Sequence, residues 1–352
     1  MKITKVKIEK FSAPLKEPFR VAFGVIEDAD SWTVKIETDE GIYGLGSAAP
    51  LAFVTGETMD TCYIVMKMFA DAFIGFDPMD IAGAHKLMDS IIYSNGAAKC
   101  AFDLALYDII GKKKGLPDYK VLGGTNPVVH NDITIGINAP EKMEADAKEY
   151  VFEKGFRILK VKTGLDLATD IRALTLIRNA VGPDVRIRID ANQGYSVETA
   201  LKALPEFEKL GIDAAEQFLP WWDFEGAAEL KRKNTTSVKL MLDESIHNIH
   251  DAHRAAKLDC ADFYNIKLMK CGGLYYGAQI ADIAEEAGVG CMVGCMQENK
   301  ISIAAGVSLV AAKKAIVEAD CDSFMFYKGD DDGIAGVFTL LDKPGLGLDY
   351  DI

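Results

Sequence analysis

The sequence predicts an α/β protein, with a (β/α)8-type barrel (a modified TIM barrel) and an α+β capping domain formed by the N-terminal part and the C-terminal tail. Two observations carry this prediction. From about residue 131 onwards, short apolar strand patterns alternate with amphipathic helix patterns, and eight such strands follow one another at nearly regular intervals. Before that point the chain has antiparallel strand patterns and helices instead. The alternation of strands and helices is typical of a closed parallel barrel. The antiparallel strands and helices before it indicate a separate unit.

The predicted capping domain begins with two strands, residues 2–13 and 32–38, in which apolar and polar residues alternate. Residues 14–30 between them, and residues 48–58 further on, are rich in apolar side chains but follow neither the strand nor the helix period. We predict both segments to be loops. Because exposed apolar loops commonly cover something, we expect them to lie over a ligand or a neighbouring domain.

Three helix patterns follow these loops. They cover residues 59–74, 78–92 and 95–113, and the last is rich in alanine, which permits close packing. Gly41, Gly44 and Gly46 precede them, but their spacing differs from that of a dinucleotide-binding loop and no helix begins there. We interpret them as glycines of a turn and a strand.

The barrel strands are predicted from short apolar runs bounded by turn residues. They cover residues 132–137, 157–162, 185–190, 213–217, 239–243, 262–267, 290–295 and 315–319. Helical patterns between them include residues 141–153, 166–180, 196–209, 247–257 and 275–287. We therefore predict a capping domain over residues 1–125, a barrel over 126–324 and a tail over 325–352 that returns to the capping domain.

Composition limits the classes of function. The formal net charge of −14 disfavours nucleic acid and anionic membranes as partners, because phosphates bind clustered lysine and arginine. We find no apolar run long enough to span a bilayer and no signal-peptide pattern, so we expect a cytoplasmic protein with a small-molecule substrate. The seven cysteines lack zinc-site spacing and lie in apolar stretches, which predicts reduced core thiols. The oligomeric state stays open, although closed homo-oligomers are common.

Two lysines, Lys160 and Lys162, alternate with Leu159 and Val161 in the second predicted barrel strand. Side chains two residues apart share a face of a strand, so both ammonium groups point to the same side. If that side is the barrel interior, they need anionic partners or a catalytic task, because unpaired buried cations are costly. The alternative is an edge strand with two solvated lysines.

The ends of the following strands favour the interior position. Asp190, Glu216 and Asp243 close the third, fourth and fifth predicted strands, and Lys267 closes the sixth. Three converging carboxylates with open coordination positions suit Mg²⁺, whereas the lack of His and Cys among them disfavours Zn²⁺. Lys162 and Lys267 are nearly opposite in a ring of eight strands. That arrangement suits a proton that is removed from one face of a substrate and returned to the other.

Five motifs make the chain resemble the enolase superfamily, in its muconate-lactonising subgroup. They are residues 160–162 (KVK), 190–193 (DANQ), 216–217 (EQ), 243–245 (DES) and 265–273 (NIKLMKCGG). The resemblance covers nearly the whole chain, and the N-terminal part is similar to the capping domain of that family. It implies Mg²⁺ as the cofactor, with enediolate chemistry at the site.

The resemblance also implies a role for each residue of the cluster. Lys162 and Lys267 would form the acid/base pair, and Lys160 would face the substrate carboxylate. A base must be neutral at working pH, and we expect nearby cations to lower its pKa. The implied metal ligands are Asp190, Glu216 and Asp243.

Asp320 and Asp322 follow the eighth predicted strand. This Asp-x-Asp is similar to that of the dipeptide epimerases, where it holds the α-ammonium group of the substrate. The resemblance also places Glu298 near the site. We therefore expect Mg²⁺-dependent epimerisation of L,L-dipeptides at the α-carbon of the C-terminal residue, by two-base 1,1-proton transfer through an enediolate.

Two other readings stay open. One is an N-acylamino acid racemase or a cycloisomerase such as o-succinylbenzoate synthase, within the same superfamily; those substrates have no free α-ammonium group, so Asp-x-Asp would have no role. The other is a barrel that binds a metal and a ligand without catalysing a reaction.

The side chain of the second residue of the dipeptide is expected to meet the two apolar loops. Relatives that prefer an acidic residue there carry a basic side chain late in the first loop, where this sequence has Gly24, although Arg20 could substitute. We therefore expect an uncharged or hydrophobic second residue. The candidate walls are Phe19, Phe23, Leu51 and Phe53.

Two further segments need interpretation. Residues 217–222 (QFLPWW) depart from relatives, which place proline directly after the glutamine, so we expect this loop to have a different shape. The regular spacing of His247, His250 and His253 resembles that of a metal-binding motif. Residues spaced by three and six positions turn progressively away from one another around a helix, however, so we interpret all three as solvated helix histidines.

Overall fold

The structure, a computed structural model, describes residues 1–22, 24–328 and 336–348. Its strands are β1 (Ile3–Val21), β2 (Gly24–Thr38), β3 (Tyr43–Ala48), β4 (Val128–His130), β5 (Ile133–Ile135), β6 (Ile158–Lys162), β7 (Arg186–Asp190), β8 (Ile212–Glu216), β9 (Lys239–Leu242), β10 (Phe263–Lys267), β11 (Gly290–Gly294), β12 (Ile316–Asp320) and β13 (Val337–Thr339). Its helices are α1 (Ala52–Thr55), α2 (Met59–Phe73), α3 (Ile81–Ile91), α4 (Gly96–Lys114), α5 (Asp118–Val121), α6 (Pro140–Lys148), α7 (Leu167–Val181), α8 (Val197–Lys209), α9 (Phe224–Lys233), α10 (Ile249–Leu258), α11 (Leu268–Cys271), α12 (Leu274–Glu286) and α13 (Lys300–Ala312). A π-helical turn, Glu149–Glu153, extends α6, and a 3-10 turn, Ser323–Phe326, follows β12.

The capping unit is a three-stranded antiparallel sheet, in the order β1–β2–β3, that packs on α2 and α4. Strand β3 and helix α4 approach each other very closely. A Cβ atom at Gly44 would lie 1.9 Å from the carbonyl oxygen of Ala105, and one at Gly46 would lie 1.8 Å from that of Ala101. Only glycine permits this contact, which confirms that these two are strand glycines.

The predicted loop between the first two strands is wrong. β1 and β2 continue as a hairpin as far as Val21 and Gly24, with a shift in register between Pro14 and Phe19. β1 is the edge strand of its sheet, where proline is tolerated because its missing N–H is not needed for pairing with β2. On the outer side the carbonyl oxygen of Pro14 accepts a 3.1 Å hydrogen bond from the N–H of Lys328. Pairing between the two strands, rather than a local period, therefore sets this conformation.

The barrel consists of eight parallel strands, β5 to β12, which follow one another in sequence order around the sheet. The N–H of Asp132 donates to the carbonyl oxygen of Ala319 over 3.2 Å, so the first and last strands also meet. All eight predicted strands are confirmed. Their ends shift by up to two residues, and the first is shorter than predicted.

The predicted helices did not include α9 and α13, nor the one-turn helices α1, α5 and α11. Most of α13 is buried, and it lies between the barrel strands and β3 of the capping unit. A helix that is covered on all sides is apolar all round, so it lacks the amphipathic period by which a surface helix is recognised.

The C-terminal segment contacts β4 and the helices α4 and α5. β13 pairs antiparallel with β4, with Val337 opposite His130. Further on, the carbonyl oxygen of Gly345 accepts a 2.9 Å hydrogen bond from the N–H of Asp118, and the N–H of Leu346 donates to Asp108 Oδ1 over 2.9 Å. The tail is thereby attached to α4 and α5.

Two expectations from composition can be compared with the structure. All seven cysteines are free; six are buried and Cys295 is partly exposed, which agrees with reduced core thiols in all but that one. Among the helices of residues 1–22, 24–328 and 336–348, none has the length and apolarity that crossing a bilayer requires.

Candidate functional site

The lysines of β6 point into the barrel. Lys160 and Lys162 are 1% and 7% exposed, while Leu159 and Val161, on the opposite face of the strand, are fully buried under the outer helices. The edge-strand alternative is therefore excluded, since β6 has a hydrogen-bonded strand on each side. The sequence places two cations in the interior, and the neighbouring strands must neutralise them.

Three carboxylates lie beside these lysines at the C-terminal mouth of the barrel. In the strand register Lys162 is opposite Asp190, and Asp190 is opposite Glu216. Asp243 directly follows β9. All three carboxylates are buried, and one oxygen atom of each lies within 4.8 Å of the others. The structure thus brings the three predicted metal ligands to one point.

Lysine ammonium groups surround this cluster. Lys162 Nζ lies 2.7 Å from Asp190 Oδ2, and on the other side Lys267 Nζ lies 2.7 Å from Asp243 Oδ2. Lys160 Nζ lies deeper, 2.9 Å from Glu216 Oε2 and 3.2 Å from Asp190 Oδ2. The two outer lysines therefore contact opposite ends of the row of carboxylates.

A second set of residues orients the carboxylates, and no role was predicted for them from the sequence. Each carboxylate has one oxygen held by a donor close to it in the fold, as is common around metal ligands. The pairs are Asp190 Oδ1 with the N–H of Asn192 (2.9 Å), Glu216 Oε1 with Asn265 Nδ2 (2.8 Å) and Asp243 Oδ1 with Lys270 Nζ (2.5 Å). All three donors lie inside the motifs that carry the family resemblance. Those motifs were the signal in the sequence from which the three donors could have been predicted.

The remaining carboxylate oxygens face the centre of the cluster. Glu216 Oε2 and Asp243 Oδ2 are buried and accept no hydrogen bond of good geometry, although a lysine ammonium lies within 2.9 Å of each. These oxygens are buried, and a lysine charge balances each of them without a hydrogen bond of good geometry. Oxygens of this kind can act as ligands of a hard divalent cation. The all-oxygen set Asp190, Glu216 and Asp243 therefore fits Mg²⁺.

The charges of the site shift one another's pKa values. Burial raises the pKa of Asp190, but the ammonium groups of Lys162 and Lys160 lower it more, to about 2. Burial and then the charge of Asp190 raise the pKa of Glu216 to about 8. For Lys267, burial lowers the pKa, but the carboxylates of Asp243, Glu216 and Asp190 together raise it more, so that it lies above its usual value. In the protein alone the carboxylates dominate around Lys267, so the expected lowering of a lysine pKa by nearby cations stays a prediction for the site with Mg²⁺ bound.

Asp320 and Asp322 lie at the rim of the same mouth, where β12 meets β5. Lys160 Nζ lies 2.7 Å from Asp320 Oδ2, and the N–H of Thr134 donates to Asp322 Oδ2 over 2.7 Å. The buried Asp132 completes a cluster in which the three carboxylates approach within 4.8 Å. Burial and then the charge of Asp320 raise the pKa of Asp322 to about 6. The cations beside these three carboxylates are Lys160 and Arg188, whose Nε lies 3.5 Å from Asp132 Oδ2. Arg188 is on the Asp132 side, so the crowded pair Asp320 and Asp322 favours a further cation.

A cavity of about 60 Å³, the site cavity, opens onto the lysines and the Asp320–Asp322 pair. Its apolar wall comes mainly from the capping unit. The wall residues are Phe19, Val21, Ile26, Leu51, Val54 and Phe326.

The predicted loop residues lie at different distances from this cavity. Phe19 and Leu51 line it. Phe53 is 63% exposed, and a Cβ atom at Gly24 would lie 3.7 Å from its ring. Arg20 lines a neighbouring cavity instead, and Phe23 lies outside the described residues.

Glu298 is buried near the mouth but bonds to its own loop. It is 2% exposed, and its Oε1 atom accepts a 2.9 Å hydrogen bond from the N–H of Met296. Burial raises its pKa to about 6. The lining of the site cavity includes its neighbours Met296 and Gln297.

One of the three histidines departs from the prediction. His250 and His253 are exposed, as expected, but His247 Nε2 lies 2.8 Å from the carbonyl oxygen of Val54 in the capping loop. Burial and then the charge of Lys270 lower the pKa of His247. The interpretation of His247 as a solvated histidine is wrong, because its partner lies almost two hundred positions away and leaves no local pattern.

The same capping loop, residues 49–57, has a second attachment. Glu57 is 3% exposed, and its carboxylate accepts hydrogen bonds from the N–H groups of Ala97 (3.0 Å) and Ala98 (3.1 Å). These are free donors at the start of α4, where an anion is favourable. The loop that carries Leu51 and Val54 is thus held at both the barrel and α4.

The unusual segment after β8 forms a compact turn. Gln217 Nε2 donates to the carbonyl oxygen of Leu219 (2.8 Å) and to Ser245 Oγ (2.9 Å), while its Oε1 accepts from the N–H of Asp243 (2.8 Å). Trp221 and Trp222 are 52% and 60% exposed. Gln217 therefore supports the loop that carries Asp243, and the tryptophans lie outside the site cavity.

Comparison with known proteins places this arrangement among characterised enzymes. Residues 142–351 match the family model "Enolase C-terminal domain-like", and residues 3–123 match "Mandelate racemase / muconate lactonizing enzyme, N-terminal domain". The chain is 41% identical over 349 residues to the hydrophobic dipeptide epimerase of Enterococcus faecalis, covering 99% of this chain and 97% of that protein. It is 36% identical over 358 residues to the N-succinyl-L-Arg/Lys racemase of Bacillus cereus, covering 99% and 95%. The structure of the Enterococcus faecalis dipeptide epimerase with Mg and L-Leu-L-Tyr matches with a TM-score of 0.96 at 39% identity, covering 99% of this chain and 100% of that one.

Proposed function

The chain belongs to the enolase superfamily, in the dipeptide epimerase family of the muconate-lactonising subgroup, and we propose that it epimerises L,L-dipeptides at the α-carbon of the C-terminal residue in an Mg²⁺-dependent reaction. One observation carries this proposal. Lys162 and Lys267 contact opposite ends of a row of buried carboxylates, while Asp320 and Asp322 lie beside them at the rim.

In this proposal the row of carboxylates, Asp190, Glu216 and Asp243, holds Mg²⁺. The metal would bind the substrate carboxylate and stabilise the second negative charge that appears when the α-proton leaves. Lys160, in contact with Glu216 and Asp190, adds a fixed positive charge at the same end of the site.

The two outer lysines move the proton. A neutral Nζ of one lysine takes the proton from the α-carbon, and the C–H bonding electrons pass into the carboxylate to form an enediolate. The ammonium of the other lysine then gives a proton to the opposite face, which inverts the centre. In the reverse direction Lys162 and Lys267 exchange roles. General acid/base catalysis of this kind contributes roughly 10²–10⁴-fold to the rate.

Asp320 and Asp322 hold the α-ammonium group of the first residue. The N–H and hydroxyl of Thr134 keep the pair in place, and a substrate cation relieves the repulsion among the pair and Asp132. An N-acylated amino acid has no such cation, so this cluster favours a dipeptide over the substrate class of the Bacillus cereus relative.

The second residue of the substrate is hydrophobic or uncharged. Among the described residues, the lining of the site cavity has an apolar wall and no arginine, since Arg20 lines the neighbouring cavity. Burial of an apolar side chain there contributes about 25 cal/mol per Å² of surface removed from water. An acidic side chain would lose its hydration without gaining a cationic partner.

Hydrogen exchange tests the proposal directly. The protein is incubated with Mg²⁺ in D₂O with a panel of L,L-dipeptides that includes Leu-Tyr, and with a parallel panel of N-succinyl amino acids, and deuterium at each α-carbon is measured by mass spectrometry. We expect deuterium at the second residue of dipeptides with apolar second residues. Exchange only in the N-succinyl panel would assign the racemase function instead, and exchange in neither panel would favour a binding protein without chemistry.

The variant Asp322→Ala sharpens this test. We expect it to lose most dipeptide exchange while keeping Mg²⁺ binding by calorimetry, since Asp322 is no part of the carboxylate row. Unchanged dipeptide exchange would refute the role of Asp-x-Asp. For the cell we expect a cytoplasmic enzyme with a small-molecule substrate, and a homo-oligomer stays a prediction that light scattering can test.

A further inference from the structure

A second and larger cavity adjoins the site cavity. It has a volume of about 540 Å³ and lies between the β1–β2 hairpin, the end of β5, and α6 with its π-helical turn. We refer to it as the side cavity. The catalytic lysines and the carboxylate row are absent from its lining, so the chemistry proposed above does not use it.

The two cavities meet at one place. Phe19, Thr134 and Phe326 line both of them. Thr134 is also the residue whose N–H and hydroxyl contact Asp322 and Asp320, at 2.7 and 3.3 Å. The junction is therefore adjacent to the point where the substrate α-ammonium group is held.

The site cavity alone is too small for a dipeptide. Its volume of about 60 Å³ is well below the range of about 300–1,000 Å³ that is usual for small-molecule sites. The side cavity brings the combined space into that range. With the ammonium group at Asp320 and Asp322, the part of the substrate nearest the junction is the first side chain.

Most charges that line the side cavity are already paired. Lys142 Nζ lies 2.5 Å from Asp146 and 3.3 Å from Glu17, and Lys154 Nζ lies 2.8 Å from Glu149. Arg20 differs: its guanidinium has no hydrogen-bond or ion-pair partner within residues 1–22, 24–328 and 336–348. An arginine without an acid at a cavity wall favours an oxygen acceptor from a ligand.

Distance along β5 indicates how far a side chain must reach from Thr134 to the backbone of Arg20, an exposed residue whose guanidinium extends from that point. A Cβ atom at Gly136 would lie 3.4 Å from the carbonyl oxygen of Arg20 and 3.5 Å from the ring of Phe19. Gly136 is two residues beyond Thr134, and two residues of extended chain span roughly 7 Å. The methyl group of an alanine cannot bridge that span, whereas a side chain the length of glutamate or glutamine can.

We propose that the side cavity binds the side chain of the first residue of the dipeptide, and that Arg20 makes it favour a long side chain ending in an oxygen acceptor, glutamate or glutamine, over a basic one. This inference rests on the proposed function, because it takes the position of the ammonium group from it. It reassigns Arg20 from the second residue of the substrate to the first.

A charge reversal at Arg20 tests the preference. Exchange at the second α-carbon is measured in D₂O for Ala-Leu, Gln-Leu, Glu-Leu and Lys-Leu, with the wild-type protein and with Arg20→Glu. We expect the wild type to have a kcat/KM for Glu-Leu about fivefold above that for Lys-Leu, the scale of one partly exposed ion pair. Arg20→Glu should invert this ratio, mainly through KM.

Lys202→Glu is the matched control. Lys202 lies on the outer helix α8, where it pairs with Glu198. The Lys202→Glu substitution makes the same change of charge as Arg20→Glu, but away from both cavities. It should leave the ratio at the wild-type value. The proposal would be overturned if Arg20→Glu left the Glu-Leu to Lys-Leu ratio unchanged, or if Lys202→Glu shifted that ratio by the same amount.

A change of volume gives an independent test. Gly136→Val places a branched side chain against Phe19 and Arg20 at the cavity wall. We expect kcat/KM for Gln-Leu to fall relative to Ala-Leu by about tenfold, which is the scale of a steric misfit in a binding pocket. Dissociation constants measured by calorimetry in the Lys162→Ala background should follow the same order, which separates binding from turnover.

The outcomes distinguish this inference from the function on which it rests. If the wild type exchanges no dipeptide, both fall together. A different result separates the two. Suppose that Ala-Leu is exchanged, but that Arg20→Glu leaves the Glu-Leu to Lys-Leu ratio unchanged and Gly136→Val leaves the Gln-Leu to Ala-Leu ratio unchanged. The epimerase function then stands, and the side cavity has another occupant.

Discussion

The imidazole Nε2 of His247 lies 2.8 Å from the carbonyl oxygen of Val54, so a residue of the barrel holds the capping loop by its backbone. Val54 and Leu51 of that loop line the site cavity. The contact therefore connects the position of the apolar wall to the same loop after β9 that carries Asp243.

Replacing His247 with alanine should loosen this wall. The carbonyl oxygen of Val54 would lose its donor, which costs about 1–3 kcal/mol when the group stays buried. We expect KM for dipeptides with an apolar second residue to rise about fivefold, with a smaller change in kcat. Steady-state kinetics with His253→Ala as the control measure this, since His253 belongs to the same run but is exposed. An equal effect of both variants would show that the contact with Val54 is irrelevant.

The two-base scheme predicts separate half-reactions. Lys162→Ala and Lys267→Ala should each lower epimerisation by about 10²–10⁴-fold, the usual contribution of a general acid or base. Each variant keeps one base, so it should still exchange the α-proton of one epimer with D₂O, and the two variants should prefer opposite epimers. NMR of purified L,L- and L,D-dipeptides checks this. A variant that epimerises at the wild-type rate would refute the scheme, and Lys202→Ala serves as the control.

The carboxylate row predicts a measurable dependence on Mg²⁺. Removal of the metal with a chelator should abolish exchange, and added Mg²⁺ should restore it. Asp243→Asn removes a charge from the row, while its amide keeps the size of the side chain. We expect this variant to lose Mg²⁺ binding by calorimetry and to lose the rise in Tm that a bound ligand gives the wild type. Full Mg²⁺ affinity in Asp243→Asn would contradict the site.

We predict that a substitution at Asp118, which lies away from the site, stabilises the protein. Its side chain is buried, and both carboxylate oxygens lack a hydrogen-bond partner among the described residues. Burial and then the charge of Asp108 raise the pKa of Asp118 well above its usual value. The folded protein therefore binds this proton more tightly than the unfolded chain. Its contribution to stability is present below the unfolded pKa of about 3.9 and is lost as the pH rises toward the folded value.

Asp118→Asn removes this titration. We expect the free energy of unfolding at pH 7 to rise by about 1–3 kcal/mol, since an unpaired buried group no longer carries charge. The difference from wild type should shrink as the pH is lowered to about 4. Denaturation at several pH values measures it, with Asp342→Asn, an exposed carboxylate, as the control. A constant difference at all pH values would contradict the assignment to Asp118.

Much of the barrel and the chemical centre followed from local patterns. The alternation in residues 158–162 places Lys160 and Lys162 on one face, and acids at the ends of three successive strands must meet at the mouth of a parallel barrel. These inferences need only the strand period and the direction of the chain, both of which are written in neighbouring residues.

The predictions that were wrong depend on partners far along the chain. The β1–β2 hairpin extends through Pro14 because β2 pairs with it, and the buried α13 has no polar face to mark it. The attachment of His247 to Val54 joins segments that no local pattern connects.

The sequence by itself therefore determined the barrel, the row of carboxylates at its mouth and the pair of opposed lysines, because strand alternation and strand ends are local properties of the chain. Only the tertiary structure decided how the capping loop is held, which cavity Arg20 lines and how large that cavity is. Those features arise where the capping unit packs on the barrel, and the space left between two packed surfaces depends on both of them at once.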